Sequence, residues 1–333
     1  MKDWNPLGDL LKPGDRVYVN SGGVFRSSVA HPSLLRVLLD YIFIATSGRA
    51  EIFIGFSPMG WKPEKPLEMD LPYSEKDFRI FLFNLPGGDP VGYTQIDLGD
   101  SSAFSTYSGN WELSSLEGRV DTHGPHSARY FVSSTALSSS LLINLFKPST
   151  NQWLGMAGAI ASFLGLTEEP GKVPVFSRGK PSKGGDECPE EEKDCSSVSG
   201  KWWGNDTLWR SILDVARAVL FYDYDGNLRQ EPRKVLFFAD MVEALDNSPG
   251  LILASGNPVA LDCVLSRLIG FKWLNLPLIL GSLSDSSFAL FKGKCGDVKL
   301  VSEDIFLGGN FEEISPMLSP TEPEGWEGKL LEK

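Results

Sequence analysis

Apolar residues occur at two spacings along this chain, and the alternation between them sets the expected fold class. Val17-Tyr18-Val19, Ile52-Phe53-Ile54 and Leu141-Leu142-Ile143 are short continuous runs, the pattern of strands buried on both faces. Between the first two, Leu34, Leu35, Leu38, Ile42 and Ile44 supply a helical stripe after a His31-Pro32-Ser33 start and before a Gly48 stop. Strand, helix, strand in that order predicts a βαβ unit with parallel pairing. Phe78 to Phe83 reads as another strand, inside a Gly-, Pro- and Asp-rich stretch that begins at Trp61. The residues from Gly155 to Leu166 are small and apolar with a helical period.

After residue 200 the same alternation resumes. A helix carrying Trp209 precedes the strand Val235 to Ala239, which ends at Asp240. The strand Leu251 to Ala254, the helix Val259 to Ile269 and the apolar run Leu276 to Leu280 follow. The pattern predicts an α/β protein with a parallel or mixed central sheet flanked by helices. It divides into two interlocked lobes around one cleft, residues 1–140 and 141–310, with a peripheral tail over 311–333. Residues 181–200, with Glu190, Glu191 and Glu192 in succession, read as an acidic loop within the second lobe.

Charge and cysteine content narrow the partners. Lys and Arg number 31 against 43 Asp and Glu, a net charge of -12, which argues against nucleic acid. Nowhere do 18 apolar residues run uninterrupted, and the first residues lack an apolar signal core, so no membrane or export role is expected. The four cysteines are too sparse for a disulfide scaffold and none forms Cys-x-x-Cys, so the expected location is cytoplasmic. The expected partners are a small-molecule ligand and a second copy or pathway protein.

The richest chemistry lies in two polar turns that each enter a helix. Gly204-Asn205-Asp206-Thr207 leads into Leu208-Trp209-Arg210, and Gly256-Asn257-Pro258 leads into the segment holding Asp262. Structurally these are helix caps, and Asp262 is a dipole partner with Arg267 five residues on. Functionally, Asp206, Asp240 and Asp262 each lie near a strand-to-helix junction, so they are expected to converge on one polar crevice as acid–base groups. Asn205 and Asn257 would orient a ligand, and Arg210 or Lys147 would clamp an anion, with Trp209 beside them.

Other motifs are weaker. Gly55-Phe56-Ser57-Pro58-Met59-Gly60 follows a strand, but its second glycine comes one residue late for a nucleophile elbow. His123 and His126 lie in a Gly-Pro loop, and Cys188 and Cys195 lack iron–sulfur spacing. No Gly-x-Gly-x-x-Gly or Gly-Lys-Ser/Thr is present, so no cofactor is expected. With three histidines and dispersed cysteines, a tightly bound transition metal is not expected either; oxygen ligands would suit magnesium, held loosely.

Several motifs in order resemble the uncharacterised family known as domain of unknown function 362. They are Gly14-Asp15-Arg16-Val17, His31-Pro32-Ser33-Leu34-Leu35-Arg36, Ile54-Gly55-Phe56-Ser57-Pro58, Gly88-Asp89-Pro90 with Gly92-Tyr93, and Leu142-Ile143-Asn144-Leu145. Gly155 with Gly158-Ala159 and the two polar turns complete the set. The resemblance implies a fold distantly similar to the N-terminal domain of nickel-pincer lactate racemases. Charged and imidazole groups typical of the family are replaced here by Asn20-Ser21-Gly22, Phe56, Ser149, Asn151 and Ala161, with Lys147 as a surviving cation. The resemblance therefore implies a divergent enzyme acting on a small polar or carboxylate-bearing metabolite, in specialised biosynthesis. The alternative is a non-catalytic ligand-binding or accessory protein that kept the scaffold and lost those polar groups.

Overall fold

Six strands form one sheet. The computed structural model describes residues 7–21, 30–56, 78–84, 89–98, 107–108, 119–120, 129–168, 208–242, 249–283, 288–302, 309–318, 320–324 and 326–331. In chain order the first elements are β1 (Arg16–Ser21), α1 (Pro32–Thr46), β2 (Ala50–Phe56) and β3 (Phe78–Asn84). Smaller pieces follow: β4 (Tyr93–Asp97), β5 (Tyr107–Ser108), β6 (Arg119–Val120), β7 (Arg129–Ser133) and α2 (Ser134–Leu137). Next come β8 (Leu141–Phe146), β9 (Ser149–Asn151), β10 (Gly155–Ala157), α3 (Ala159–Ser162) and α4 (Leu208–Phe221). The last are β11 (Val235–Met241), β12 (Leu251–Ser255), α5 (Pro258–Ile269), α6 (Pro277–Ser282), β13 (Lys299–Leu300) and β14 (Gly309–Asn310).

The opening βαβ unit is as the periodicity predicts, because β1 pairs with β2 in parallel, Val17 opposite Ile52. β2–β3, β1–β8 and β8–β11 are parallel too, and β12 closes the sheet antiparallel to β11. The sheet is therefore mixed. It takes β1, β2 and β3 from the expected first lobe and β8, β11 and β12 from the second, so the boundary at residue 140 separates hydrogen-bonded neighbours.

α1 starts where His31 Nδ1 accepts from the Ser33 amide at 3.2 Å and Pro32 occupies the first turn. It stops at Ser47 with φ 52°, followed by Gly48 with φ 68°. The buried stripe is Leu35, Leu38, Leu39 and Ile42; Ile44, expected in it, is 53% exposed because it falls about half a turn off that face. The stripe covers Val17, Val19, Ile52, Ile54, Leu141, Ile143 and Leu145 on one side of the sheet. The opposite side, with Tyr18, Leu142, Phe146, Phe237 and Ala239, packs under α3, α4, α5 and α6 in the larger core.

The helix expected from Gly155 to Leu166 is instead the short strand β10, then α3, then a 3-10 turn over Phe163–Leu166. Gly155 has φ 74° and pairs with Asn151 across a hairpin, which diverts the chain before helix can begin. A further difference is covalent. Cys263 on α5 is disulfide-bonded to Cys295, 32 residues later, a crosslink that the sparse cysteine spacing gave no reason to expect.

Candidate functional site

In open α/β sheets ligands gather beyond the carboxyl ends of the parallel strands. At that edge β1 and β8 are neighbours, and Asn20 lies opposite Asn144. Strand alternation turns both toward the α3 side, since Tyr18 and Leu142, two residues earlier in each strand, belong to that core. Both asparagines are 0% exposed. Asn20 Nδ2 donates to Asn144 Oδ1 at 2.8 Å and to the Ser162 carbonyl at 3.0 Å. Because the Ser162 carbonyl needs a donor, both amide orientations follow from the network. That leaves Asn20 Oδ1, an acceptor, and Asn144 Nδ2, a donor, without partners among the described residues. Buried amide atoms in this state cost roughly 1–3 kcal/mol each, so the pair calls for a water or a ligand.

α3 joins this pair to a buried acid. Its last residue gives the carbonyl to Asn20, and its first amides, Ala159 N and Ile160 N, donate to Asp262 Oδ1 at 2.6 Å and Oδ2 at 3.0 Å. The approach needs glycine before the helix: a Cβ on Gly158 would lie 2.1 Å from Asp262 Oδ1. Burial raises the Asp262 carboxyl from 3.8 to about 7, against the pull of the Ile160 and Ala159 amides.

The other expected site residues do not share this crevice. Asp240 faces the α1 side, where its Oδ2 accepts from His31 N at 2.8 Å and its Oδ1 from Val242 N at 3.0 Å. Asp240 and Asp262 thus lie on opposite faces of the sheet, and their expected convergence is corrected accordingly. The cause is strand parity: Ala239 points into the α4–α5 core and its neighbour Asp240 points away. Asn257 lies at the other edge. β12 runs antiparallel, so its Ser255 end meets Phe237 near the start of β11, and Asn257 begins α5 there. Its Oδ1 accepts from Val259 N at 2.9 Å and Ala260 N at 3.0 Å, and its Nδ2 donates to the Leu290 carbonyl. This is the capping role that its sequence context allows.

Trp209 is a core residue, 2% exposed, against which a Cβ on Gly281 would lie at 2.3 Å. Arg210 stacks its guanidinium 5.3 Å from that indole. Lys147 is half-buried just beyond β8, at the carboxyl edge. Asn205 and Asp206 fall outside the described residues, as do the expected acidic loop, the serine of the Gly55–Gly60 motif, His123, His126, Cys188 and Cys195.

One buried charge network was missed by the sequence reading. Asp214 and Arg217 on α4 form an ion pair at 3.2 Å with side chains 0% and 1% exposed. Tyr130 Oη donates to Asp214 Oδ2 at 2.8 Å. Burial, then the Asp214 charge, pushes the Tyr130 phenol far above its ordinary range, so it stays protonated and donates to Asp214. Tyr130 comes from β7, so the network ties α4 to the β4–β7 ribbon.

No protein-family model matches the chain, and no curated protein sequence does. Among solved structures it is similar to the lactate racemase apoprotein from Thermoanaerobacterium thermosaccharolyticum, at 14% identity and a TM-score of 0.38, covering 75% of this chain and 48% of that one. It is also similar to a protein from Thermotoga maritima, at 10% identity and a TM-score of 0.36, covering 70% and 48% respectively. The chain spans about half the length of each of these structures.

Proposed function

We propose that this protein binds a small polar metabolite at the carboxyl edge of its sheet, with Asn20 and Asn144 making the primary contacts. The observation that carries this reading is the adjacent acceptor and donor, Asn20 Oδ1 and Asn144 Nδ2, both buried and without partners among the described residues. A carboxamide or a protonated carboxyl group presents the complementary donor and acceptor. Lys147 at the same edge, and Arg210, would meet a carboxylate elsewhere on the ligand. Asn205 and Asp206 belong to the proposal through their position before α4.

Turnover, in this reading, depends on Asp262. A carboxyl group titrating at about 7 is suited to exchanging protons with a ligand near neutral pH. A non-catalytic, accessory role is favoured by a different observation. Both oxygens of Asp262 and both of Asp240 already accept backbone amides, the arrangement of structural caps. Binding is common to the two readings, and binding is tested first.

Equilibrium dialysis of the full chain against a cell metabolite extract, with mass spectrometry of what is retained, provides that test. Wild type should retain a small polar compound that Asn144→Leu does not. Retention of nothing by wild type, or equal retention by Asn144→Leu, would remove the proposal. If a compound is retained, its chemical conversion by wild type but not by Asp262→Asn would assign the catalytic reading.

A further inference from the structure

The opposite edge of the same sheet carries a second polar concavity. Asp15, Ser140 and Lys234 each immediately precede a strand, β1, β8 and β11, and these three strands are neighbours. A cavity of about 460 Å³ opens over their amino ends, walled by residues 8–12 and by Arg229. The chain holds the floor rigidly, because Ser140 N donates to the Arg16 carbonyl at 2.8 Å and Leu142 N to the Lys234 carbonyl at 3.1 Å.

Cations outnumber acids in its lining. Lys12 and Lys234 are exposed at the rim, and Arg229 is half-buried, oriented by donation from its Nε to the Glu231 carbonyl at 3.2 Å. Directly behind Lys234, Arg233 is 3% exposed and donates to the Val219, Ser139 and Tyr222 carbonyls, not to a carboxylate. Burial, then the charge of Arg229, lowers the Arg233 guanidinium to about 9, with Asp223 opposing. Two acids also line the cavity. Asp15 is already engaged, by the Lys12 amide at 2.9 Å and the Ser140 hydroxyl at 3.2 Å, whereas Asp9 is exposed at the rim. Four cations thus gather at one edge of a chain whose net charge is -12.

We propose that this cavity is a binding site for a small phosphate monoester, separate from the carboxyl-edge site. Arg229 offers a planar fork to two phosphate oxygens, and Lys12 and Lys234 supply point charges. Buried Arg233 adds positive potential from behind without touching the ligand. Leu10 and Leu11 form the apolar part of the wall, so the organic portion of the ester rests there. The cavity is larger than inorganic phosphate requires, which is why an ester, and not the free ion, is the ligand assigned.

The test is calorimetric titration of the full chain with phenyl phosphate, inorganic phosphate and benzoate. Phenyl phosphate should bind with a Kd of about 1 mM or tighter and weaken as salt rises. Inorganic phosphate and benzoate should each bind at least about fivefold more weakly, lacking the ring contact or the second charge. Lys12→Ala, Arg229→Ala and Lys234→Ala should each weaken phenyl phosphate by about tenfold, and Asp9→Ala should tighten it. Absence of phenyl phosphate binding, or unchanged affinity in the triple alanine variant, would overturn the proposal. Tighter binding of benzoate than of phenyl phosphate would overturn it as well. Failure here leaves the carboxyl-edge reading intact, since none of these residues belongs to that site.

Discussion

Adjacent residues of β8 look into two different kinds of interior. Ile143 points at α1, into a core of Val, Leu and Ile from β1, β2, β8 and the α1 stripe. Asn144 points the other way, toward a face where Asn20, Asp214, Arg217 and Asp262 are all at most 1% exposed. The first face is held mainly by burial, which is non-directional and tolerant of exchange among apolar side chains, with the amide bonds to Asp240 at its edge as the exception. The second adds directional bonds to burial, and each depends on its partner being present. Fold information is concentrated on the α1 face, and candidate chemistry on the other.

The sharpest way to break this contrast is to strip one partner from the buried ion pair. Asp214→Ala removes the ion-pair partner of buried Arg217 and the acceptor of Tyr130 together, and should cost about 3–5 kcal/mol by urea unfolding. Replacing the whole network together, Asp214→Leu with Arg217→Met and Tyr130→Phe, should restore most of that stability. If the single variant costs less than about 1 kcal/mol, the face does not depend on paired charges as described.

The crosslink gives the next largest effect, because it too lies on the polar face. Cys263 is on α5 next to Asp262, and its bond to Cys295 closes a loop with a sequence separation of 32. Loop-closure entropy predicts a stabilisation of about 3.5 kcal/mol, which Cys263→Ser with Cys295→Ser should remove. Mass mapping of the unreduced chain should find the two peptides joined. Free thiols at both positions would contradict the bond. A disulfide in the resting protein is unusual for the cytosol, so the same mapping on protein recovered from its native source tests the expected location.

Protonation should distinguish the faces as well. The folded-state carboxyl of Asp262 titrates at about 7 rather than 3.8, so the native protein holds a proton that the unfolded chain has released. Its contribution to stability is full below the unfolded value and is lost as pH rises through about 7, by roughly 2–4 kcal/mol. Unfolding midpoints at about pH 5 and about pH 8 should differ in that direction for wild type, and less for Asp262→Asn. A rise in stability over this interval that Asp262→Asn abolishes would reverse the assignment.

These particulars also explain what the sequence made legible. α1 and the parallel β1–β2 pair follow from local periodicity and caps, which need no tertiary information. Convergence of Asp240 and Asp262 was a judgement about faces, and faces depend on strand parity and on β12 running antiparallel. The Asp214–Arg217 pair, at a spacing common on solvated helices, gave no sign that this face of α4 would be buried. Asn144 carried a usable signal: an amide inside the buried run Leu142-Ile143-Asn144-Leu145 must find a partner or a purpose. Asn20 had stood out only as a departure from the family pattern.

The most direct test of the central claim is urea unfolding of Asn20→Leu with Asn144→Leu, measured beside metabolite retention. Leucine keeps the branch at Cγ, and substituting both members removes the two partnerless atoms together. If the pair exists to meet a ligand, the double variant should lose less than about 3 kcal/mol, the cost of leaving the Ser162 carbonyl without its Asn20 donor, and retain no metabolite. Ile143→Ala, one residue away on the other face, should lose about 2–5 kcal/mol and keep the ligand to the extent that it folds. A double variant destabilised by about 3 kcal/mol or more, or one that still retains the metabolite, would contradict the account, because the asparagines would then serve the fold and not a ligand.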